Sequence, residues 1–389
     1  MKEDAMQEAQ ETLDWTERCS RFAEEVIAPA LQTYDQENRF PASVHDAARQ
    51  WGLLDQDFPV ELGGAGLPPQ AAVAGAEILA RCCAPIAFTL GFNRGALHAV
   101  LVAGNPDQKE AFVGRVIREG RYAALCLTEA ESSGSNLLQL GTTAQRTDRG
   151  WVLRGEKVMV GNGGIASQFQ VLARVVEGGR TKGLAFFVVP RSEQVIVGPN
   201  PDKIGFRAVE TPTVRFEDVE LDDFHRIGSV GSSEQIVLQA LDFIRVGGAS
   251  VICGIVAGAL CDAMEWAGGR EVYGGPLLGK SHIQIQLGEL YARLQMVRTM
   301  ISVSAERLAT GQPYGESASI AKLEAAKLAL DATSRISQMH GWRGIVGEYA
   351  IQKRLRDARQ TPIFEGSSEI QALHLFRSLS HRYRTDGSP

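Results

Sequence analysis

The chain lacks any CxxC pair, and its six cysteines (Cys19, Cys82, Cys83, Cys126, Cys253 and Cys261) follow no regular spacing. That excludes a disulfide framework or a zinc cage written into the sequence. Adjacent Cys82 and Cys83 suit buried thiols better than bridges, so a reducing, cytoplasmic setting is expected. Proline is sparse, 15 in 389 residues, which excludes a low-complexity or collagen-like chain. Charge of one sign is lacking too. The 40 Lys and Arg are mixed with 46 Asp and Glu for a net charge of −6, with no basic stripe, and nucleic acid is therefore not an expected partner. The opening MKEDAMQEAQETLDWTERCSRFAEEVIAPA is acidic and amphipathic, without a signal core or Arg-rich transit character. No run reads as the roughly 20 apolar residues of a membrane span, so no membrane partner is expected. The seven histidines are scattered, and HExxH, Walker and GxSxG patterns are missing. No metal site is expected.

What is present is an ordinary globular composition, 44% hydrophobic and 22% charged, in a chain long enough for two or three domains. Residues 1–120 carry helical periodicity broken by turn clusters at Asn38–Pro41 and Gly63, Gly64 and Gly66. Residues 121–232 change to short apolar or alternating runs such as QVLARVV, GLAFFVVP and TVRFEDVEL, the texture of a β domain. Helices return over 233–389, where Ile283, Leu287, Leu290, Leu294, Val297 and Ile301 form one apolar seam. Further helical stretches near 247–267, 315–339 and 368–380 are enough for a bundle. The expected class is α+β multidomain: helices, a compact sheet or barrel, then a helical bundle.

Several constellations are chemically suggestive. ELGGAGL has dinucleotide-like glycines but no preceding strand or βαβ unit, so it reads as a turn. LTEAESSGSN (Leu127–Asn136) and GEKVMVGNGG (Gly155–Gly164) each end a strand in a hydroxyl- or glycine-rich loop of the kind that holds a polar or flat ligand. Each reads equally as a plain turn. Arg94 and His98 share a helix face inside AFTLGFNRGALHAVLVAG, either as a solvent-facing stripe or as readers of a polar or carrier-bound acyl group. In TPIFEGSSEIQ, Glu365 stands alone in an apolar run just before a helix that Ser367 or Ser368 can cap. Ile363 and Phe364 would raise its pKa and the helix N-terminus would lower it.

Taken in order, Phe40-Pro41, Gly52-Leu53, Pro59 with the glycine turn, Leu127-Thr128-Glu129, Gly134-Ser135, Gly155-Glu156-Lys157 and Asn162-Gly163-Gly164 lead to Arg270 with Tyr273-Gly274. Gln338 with Gly341 and Gly344, Arg356-Asp357-Ala358 and Glu365-Gly366-Ser367-Ser368 complete the series. This order resembles the acyl-CoA dehydrogenase family of flavoproteins over essentially the whole chain. The resemblance implies an N-terminal helical domain, a middle β barrel and a C-terminal four-helix bundle assembled as a homodimer or homotetramer. It implies FAD, an acyl thioester substrate on CoA or a carrier protein, and an electron-transferring flavoprotein or other acceptor. The implied reaction is α,β-dehydrogenation to the trans-2-enoyl thioester; an oxidase or monooxygenase, or a non-catalytic thioester- or flavin-binding relative, are the alternatives.

The resemblance assigns the base to Glu365 and the flavin surroundings to Leu127, Thr128, Gly134 and Ser135. It assigns adenine and pyrophosphate contacts to Gln338, Gly341, Ser367 and Glu369, and the cofactor of a partner subunit to Arg270 and Tyr273. Substrate-side positions are Ser135, Asp242, Arg245 and Gly366, with the Asp242–Arg245 pair equally readable as charges at a helix start. Some branches take their base from the first bundle helix, where this chain has Ile244. Met159 and Gly161 stand at cofactor-facing positions where an aromatic residue and a hydroxyl are usual, so one donor to the flavin is missing. Asn136, Ser281, Trp342, Phe364 and Glu369 are further departures.

Overall fold

The computed structural model describes residues 2–132 and 139–386. The first part is helical: α1 Lys2–Phe22, α2 Leu31–Glu37, α3 Ala42–Gln50, α4 Pro69–Ala96, α5 His98–Ala103, α6 Pro106–Lys109 and α7 Arg115–Glu119. The glycine run between α3 and α4 is a turn. Gly63 and Gly66 have φ of +93° and +68°, and a Cβ on Gly64 would lie 2.2 Å from the Phe58 carbonyl oxygen. Helix α4 breaks at Cys83 (φ −147°, ψ 99°), two residues before Pro85, which has no N–H to donate to the preceding turn and crowds its carbonyl.

Eight strands follow: β1 Tyr122–Cys126, β2 Thr143–Thr147, β3 Gly150–Lys157, β4 Ala166–Glu177, β5 Arg180–Pro190, β6 Val195–Val197, β7 Val214–Leu221 and β8 Arg226–Ile227. They form one mixed sheet in the order β6-β7-β3-β2-β4-β5-β8, with β1 pairing parallel to β4. Strands β4 and β5 bury both faces. Phe169, Phe187 and Ala173 join Trp151 and Phe216 in a core contributed by β1 to β7, which a sheet can enclose only by curving round it. Leu172, Leu184 and Phe186 point the other way, into a core shared with Leu97, Val100, Phe112 and Val237 of the flanking helices.

The last part contains α8 Ser233–Gly269, α9 Ser281–Ala309, α10 Gly315–Met339, α11 Ala350–Ala358 and α12 Ser368–Asp386. The predicted seam of α9, from Ile283 to Ile301, is its buried face. Helix α8 is rich in small residues and approaches α4 closely: a Cβ on Gly254 would meet Ala80 Cβ at 2.4 Å. The absence of a membrane-length apolar run needs correcting. Pro69–Ala103 and Ser233–Gly269 both pass that test of length and composition, but 56% and 83% of their apolar windows are buried within the fold. They are core helices, and the first is interrupted at Cys83.

Two polar ties explain motifs that the sequence offers as site candidates. Lys157, wholly buried, donates to Glu129 Oε1 at 2.8 Å and to the Leu127 carbonyl at 3.1 Å. Glu129 also accepts the N–H groups of Gly141 and Thr142, at 2.5 and 3.0 Å. Burial pushes its carboxyl up, but the ammonium and these donors outweigh burial and hold it below the usual range. In the Arg356-Asp357-Ala358 motif, Asp357 Oδ1 accepts Phe206 N–H at 2.6 Å and Oδ2 accepts Lys353 Nζ at 2.5 Å. The motif therefore clamps a loop of the sheet region to α11.

Glu129→Gln leaves a buried ammonium without a counter-charge and is expected to cost about 3–5 kcal/mol, seen as a lower urea midpoint. Adding Lys157→Met should recover most of that loss; equal midpoints for wild type and the single variant would show the pair to be energetically idle.

Candidate active site

Glu365 stands in a tight turn between α11 and α12. Its φ is +54° and that of Gly366 is +89°, so two successive residues occupy left-handed backbone, unusual for a glutamate. The turn is held from several sides. Lys322 Nζ on α10 donates to the Gly366 carbonyl at 2.8 Å, and Gln371 Nε2 donates to the Gly366 and Glu365 carbonyls at 3.1 and 3.3 Å. Ser367 Oγ accepts Ile370 N–H at 3.4 Å, capping α12 as expected. Behind the turn Phe364 packs on Phe88 and Phe206, with ring centroids 5.5 and 5.3 Å apart.

The Glu365 side chain lies against α8 at Gly248, where a Cβ would fall 1.7 Å from Oε2. Only glycine leaves that space. Oε2 is buried and accepts no hydrogen bond among the described residues. The carboxyl faces a cavity of about 290 Å³ whose wall includes Phe88, Gly91, Phe92, Ile244, Gly247 and Val251. Burial raises its pKa to about 8, against the opposing pull of the Lys322 and Arg245 cations. The apolar surroundings differ from those expected: Ile363 is 62% exposed and turns away, while Phe364, α4 and α8 do the burying.

Asp242 and Arg245 are not at a helix start. They lie well inside α8, where Arg245 Nη1 donates to Asp242 Oδ1 at 2.6 Å. From that stretch the cavity wall takes Phe243 and Ile244, and Arg245 sits beside the turn, 3.6 Å from a Cβ built on Gly366. The solvent-stripe reading of Arg94 and His98 is also corrected. His98 is 7% exposed and stacks on Phe243 at 4.6 Å. Arg94 forms part of the cavity wall with Asp57, bonding the Asp57 carbonyl at 3.3 Å and His98 Nδ1 at 3.1 Å.

Leu127 and Thr128 follow β1 and are joined to the loop after β3 by Val158 N–H donating to the Thr128 carbonyl at 2.9 Å. Met159 follows, 52% exposed with φ of +53°. Gly161 has a structural reason: a Cβ there would lie 3.0 Å from the Phe92 ring, which occupies that side of the cavity. Gly134, Ser135 and Asn136 lie outside the described residues. Arg270 and Tyr273 stand on an exposed turn, Tyr273 at 99% exposure. Exposed Gln338 and Gly341 are at the same end of the bundle, because Trp266 Nε1 donates to the Met339 carbonyl at 3.3 Å and stacks on His340. Ser367 and exposed Glu369 flank the start of α12. Lys322 and Gly248 were missed from the sequence. The available signals were a lone lysine among Ala318, Ala321 and Ala325, and a Gly247-Gly248 pair inside a helix.

A three-part architecture with the buried Glu365 carboxylate facing a largely apolar cavity between α4 and α8 defines the class. The comparisons agree with it. Family profiles for the acyl-CoA dehydrogenase N-terminal, middle and C-terminal domains match residues 9–120, 124–219 and 235–380. The human mitochondrial short-chain specific acyl-CoA dehydrogenase is 32% identical over 94% of this chain and 89% of its own. An acyl-CoA dehydrogenase of Bacillus subtilis is 28% identical over 92% and 95%. The structure of butyryl-CoA dehydrogenase from Megasphaera elsdenii superposes with a TM-score of 0.90 at 26% identity, covering 95% of this chain and 98% of that one. The chain belongs to the acyl-CoA dehydrogenase family, oxidoreductases acting on CH–CH groups.

Gly248→Ala should force the Glu365 carboxylate out of its place while the fold survives, visible in a crystal structure as a new rotamer. Gly247→Ala, whose Cβ would meet nothing within 4 Å, should leave Glu365 unmoved.

Proposed function

We propose that the protein is an FAD-dependent dehydrogenase that converts an acyl thioester to the trans-2-enoyl thioester, with Glu365 as the base. The observation that carries this reading is the Glu365 carboxyl itself, with Oε2 unbonded, enclosed by apolar wall and poised near pH 8. A base matched to neutral pH in a dry site suits removal of a weakly acidic α proton. Oε2 takes that proton and the C–H electron pair passes toward the thioester carbonyl. The N–H groups of Glu365 and Gly366 donate to no described residue and are left free to polarise that carbonyl. Phe88, Phe92 and Ile244 exclude water from the reacting carbons. When bound, FAD supplies the two-electron acceptor for the hydride leaving the β carbon, which completes the C=C bond.

The residues present fit such a group. Met159, on the loop after β3, and Trp342 and Ile345, after α10, are apolar and exposed, the kind of surface that a flat aromatic ligand covers. Leu127, Thr128, Met159 and Gly161 would hold the ring; Gln338, Gly341, Ser367 and Glu369 would take the pyrophosphate and adenine. Gly134 and Ser135 complete that set, with Ser135 also serving substrate. Arg270 and Tyr273 would reach the cofactor of a second copy in a homodimer or homotetramer. A solved acyl-CoA dehydrogenase from Bacillus anthracis is complexed with FAD, and another similar chain, 25% identical, comes from work on the electron transferring flavoprotein of Acidaminococcus fermentans. An acceptor of that kind is the expected electron partner. The cavity of about 290 Å³, narrowed by Phe88 and Phe92, favours a short acyl group on CoA or a carrier protein. Six free cysteines suit a reducing cytoplasm.

Glu365→Gln should bind FAD, giving a yellow protein, yet fail to bleach anaerobically with butyryl-CoA; protein that takes up no FAD would sink the reading. In the wild type, Glu365 is protonated below its pKa and cannot accept the α proton. The rate of flavin reduction should therefore rise with pH and level off above about 8. Peroxide formation in air during turnover would favour an oxidase instead. Arg94→Ala should change the ranking of polar against apolar acyl thioesters, measured as kcat/KM; an unchanged ranking would remove Arg94 from acyl recognition.

A further inference from the structure

The charges around Glu365 do not balance until one looks beyond the cavity wall. Arg245 is partly committed: its Nη1 is bonded to Asp242 at 2.6 Å, while its buried Nε has no partner among the described residues and its charge adds a smaller pull on Glu365 than that of Lys322. Lys322 is different. It is 0% exposed and, among the described residues, forms no ion pair with any carboxylate and no hydrogen bond besides the 2.8 Å donation to the Gly366 carbonyl. Its ammonium also lies 5.6 Å from the centroid of the Phe364 ring. A lysine so placed is rarely tolerated without a counter-charge. The buried carboxyl next to its hydrogen-bond acceptor, that of Glu365, equally lacks a partner on Oε2. Other titratable or charged groups face the pair from each packed element: Asp242 and Arg245 on α8, Tyr314 ahead of α10, Glu369 and His374 on α12, and Asp57 and Arg94 across the cavity. Glu369 is exposed, and His374 Nδ1 is held by Ser319 Oγ at 2.8 Å. Asp57 and Arg94 lie across the cavity and act on each other, which leaves Lys322 and Glu365 as the uncommitted buried charges beside the turn.

We propose that Lys322 is the positioning residue of this site, its ammonium serving both as the counter-charge that lets Glu365 exist as a carboxylate inside the cavity and as the clamp on the turn that presents it. The direction of each group's shift agrees. Burial brings the Lys322 ammonium down to about 8, opposed by Glu365, and brings Glu365 up to about 8, opposed by Lys322. The pair thus sits where protonation of one decides the comfort of the other. The two roles are separable, since glutamine at 322 keeps an N–H donor for the Gly366 carbonyl without the charge, and methionine removes both.

The inference rests on the dehydrogenase reading only for its catalytic meaning, so the test is read without substrate. Protein labelled with [δ-13C]glutamate is titrated by NMR in its FAD-loaded form, and the Glu365 resonance is assigned by its absence in Glu365→Gln. Lys322→Gln and Lys322→Met should each raise the Glu365 midpoint by about one pH unit or more, since loss of a nearby opposite charge moves a carboxyl by about 1–3 units. Flavin reduction should then fall about tenfold at pH 7 and recover as the pH is raised. Lys322→Met should additionally lower the plateau rate, because the turn is unclamped. If both variants fail to fold, Glu365→Gln gives the reciprocal reading: the Lys322 ammonium, followed by 15Nζ, should lose its proton about one unit lower than in wild type. An unchanged Glu365 midpoint in the Lys322 variants, or an unchanged Lys322 midpoint in Glu365→Gln, overturns the proposal. Failure of flavin to bleach in the wild type would instead count against the dehydrogenase reading, with the titrations still deciding the role of Lys322.

Discussion

A carboxylate oxygen buried without a hydrogen bond is one of the more expensive features a protein can carry, and Oε2 of Glu365 is such an atom. Much of the surrounding structure can be understood as what holds it there. Gly248 removes the one side chain that would displace it. Left-handed backbone at Glu365 and Gly366 aims it across the cleft, and three side-chain donations to the turn carbonyls prevent the strained turn from relaxing. Stability alone would replace the carboxylate with a methyl group. Retention of a poised acid in a dry cleft is the mark of a site organised for proton transfer.

That organisation draws on segments far apart in the chain. Phe88 from α4, Phe206 from the loop after β6 and Phe364 from the turn meet behind the carboxylate, all within 6 Å between ring centroids. Phe206 reaches them because Asp357 grips its N–H, and Gly205 allows the backbone of α11 to come within 2.2 Å of where a Cβ would be. The sheet region therefore contributes a wall of the cavity's surroundings as well as the loops after β1 and β3. Its own loop ends are fixed by the Lys157–Glu129 pair, which ties the end of β1 to that of β3.

Much of this was legible in the sequence and some was not. The apolar seam of α9 matches its buried face residue for residue, because a helix with one dry side imposes a period that no tertiary effect needs to override. Glu365 stood out because a lone carboxylate in an apolar run contradicts burial. Lys322 did not, since a lysine in a helix is ordinarily read as snorkelling to solvent, and only the three-dimensional meeting of α10 with the turn reveals that it cannot. The setting of Asp242 and Arg245 was misjudged for a similar reason: α8 begins at Ser233, and nothing local announces so early a start. The membrane-length apolar windows show in no single run, because glycines and single charges interrupt them while the average over a window stays high.

The break at Cys83 divides α4 into halves under different constraints. Before it, the helix is locked in register: Gly75 lies beneath the Trp15 ring and Ala80 against Gly254, so that any enlargement there collides with packed neighbours. Beyond it, Phe88, Gly91, Phe92, Arg94 and Gly95 all face the cavity. Because Pro85 already interrupts the hydrogen-bond ladder between the two, the half beyond it can tilt or exchange side chains without disturbing the register of the locked half, from which Pro69, Ala72, Val73 and Ala76 supply a fixed part of the same wall. The size and polarity of the cavity are thus open to evolutionary drift on a scaffold that stays fixed, and diversification of substrate would be expected to accumulate over about two turns of one helix.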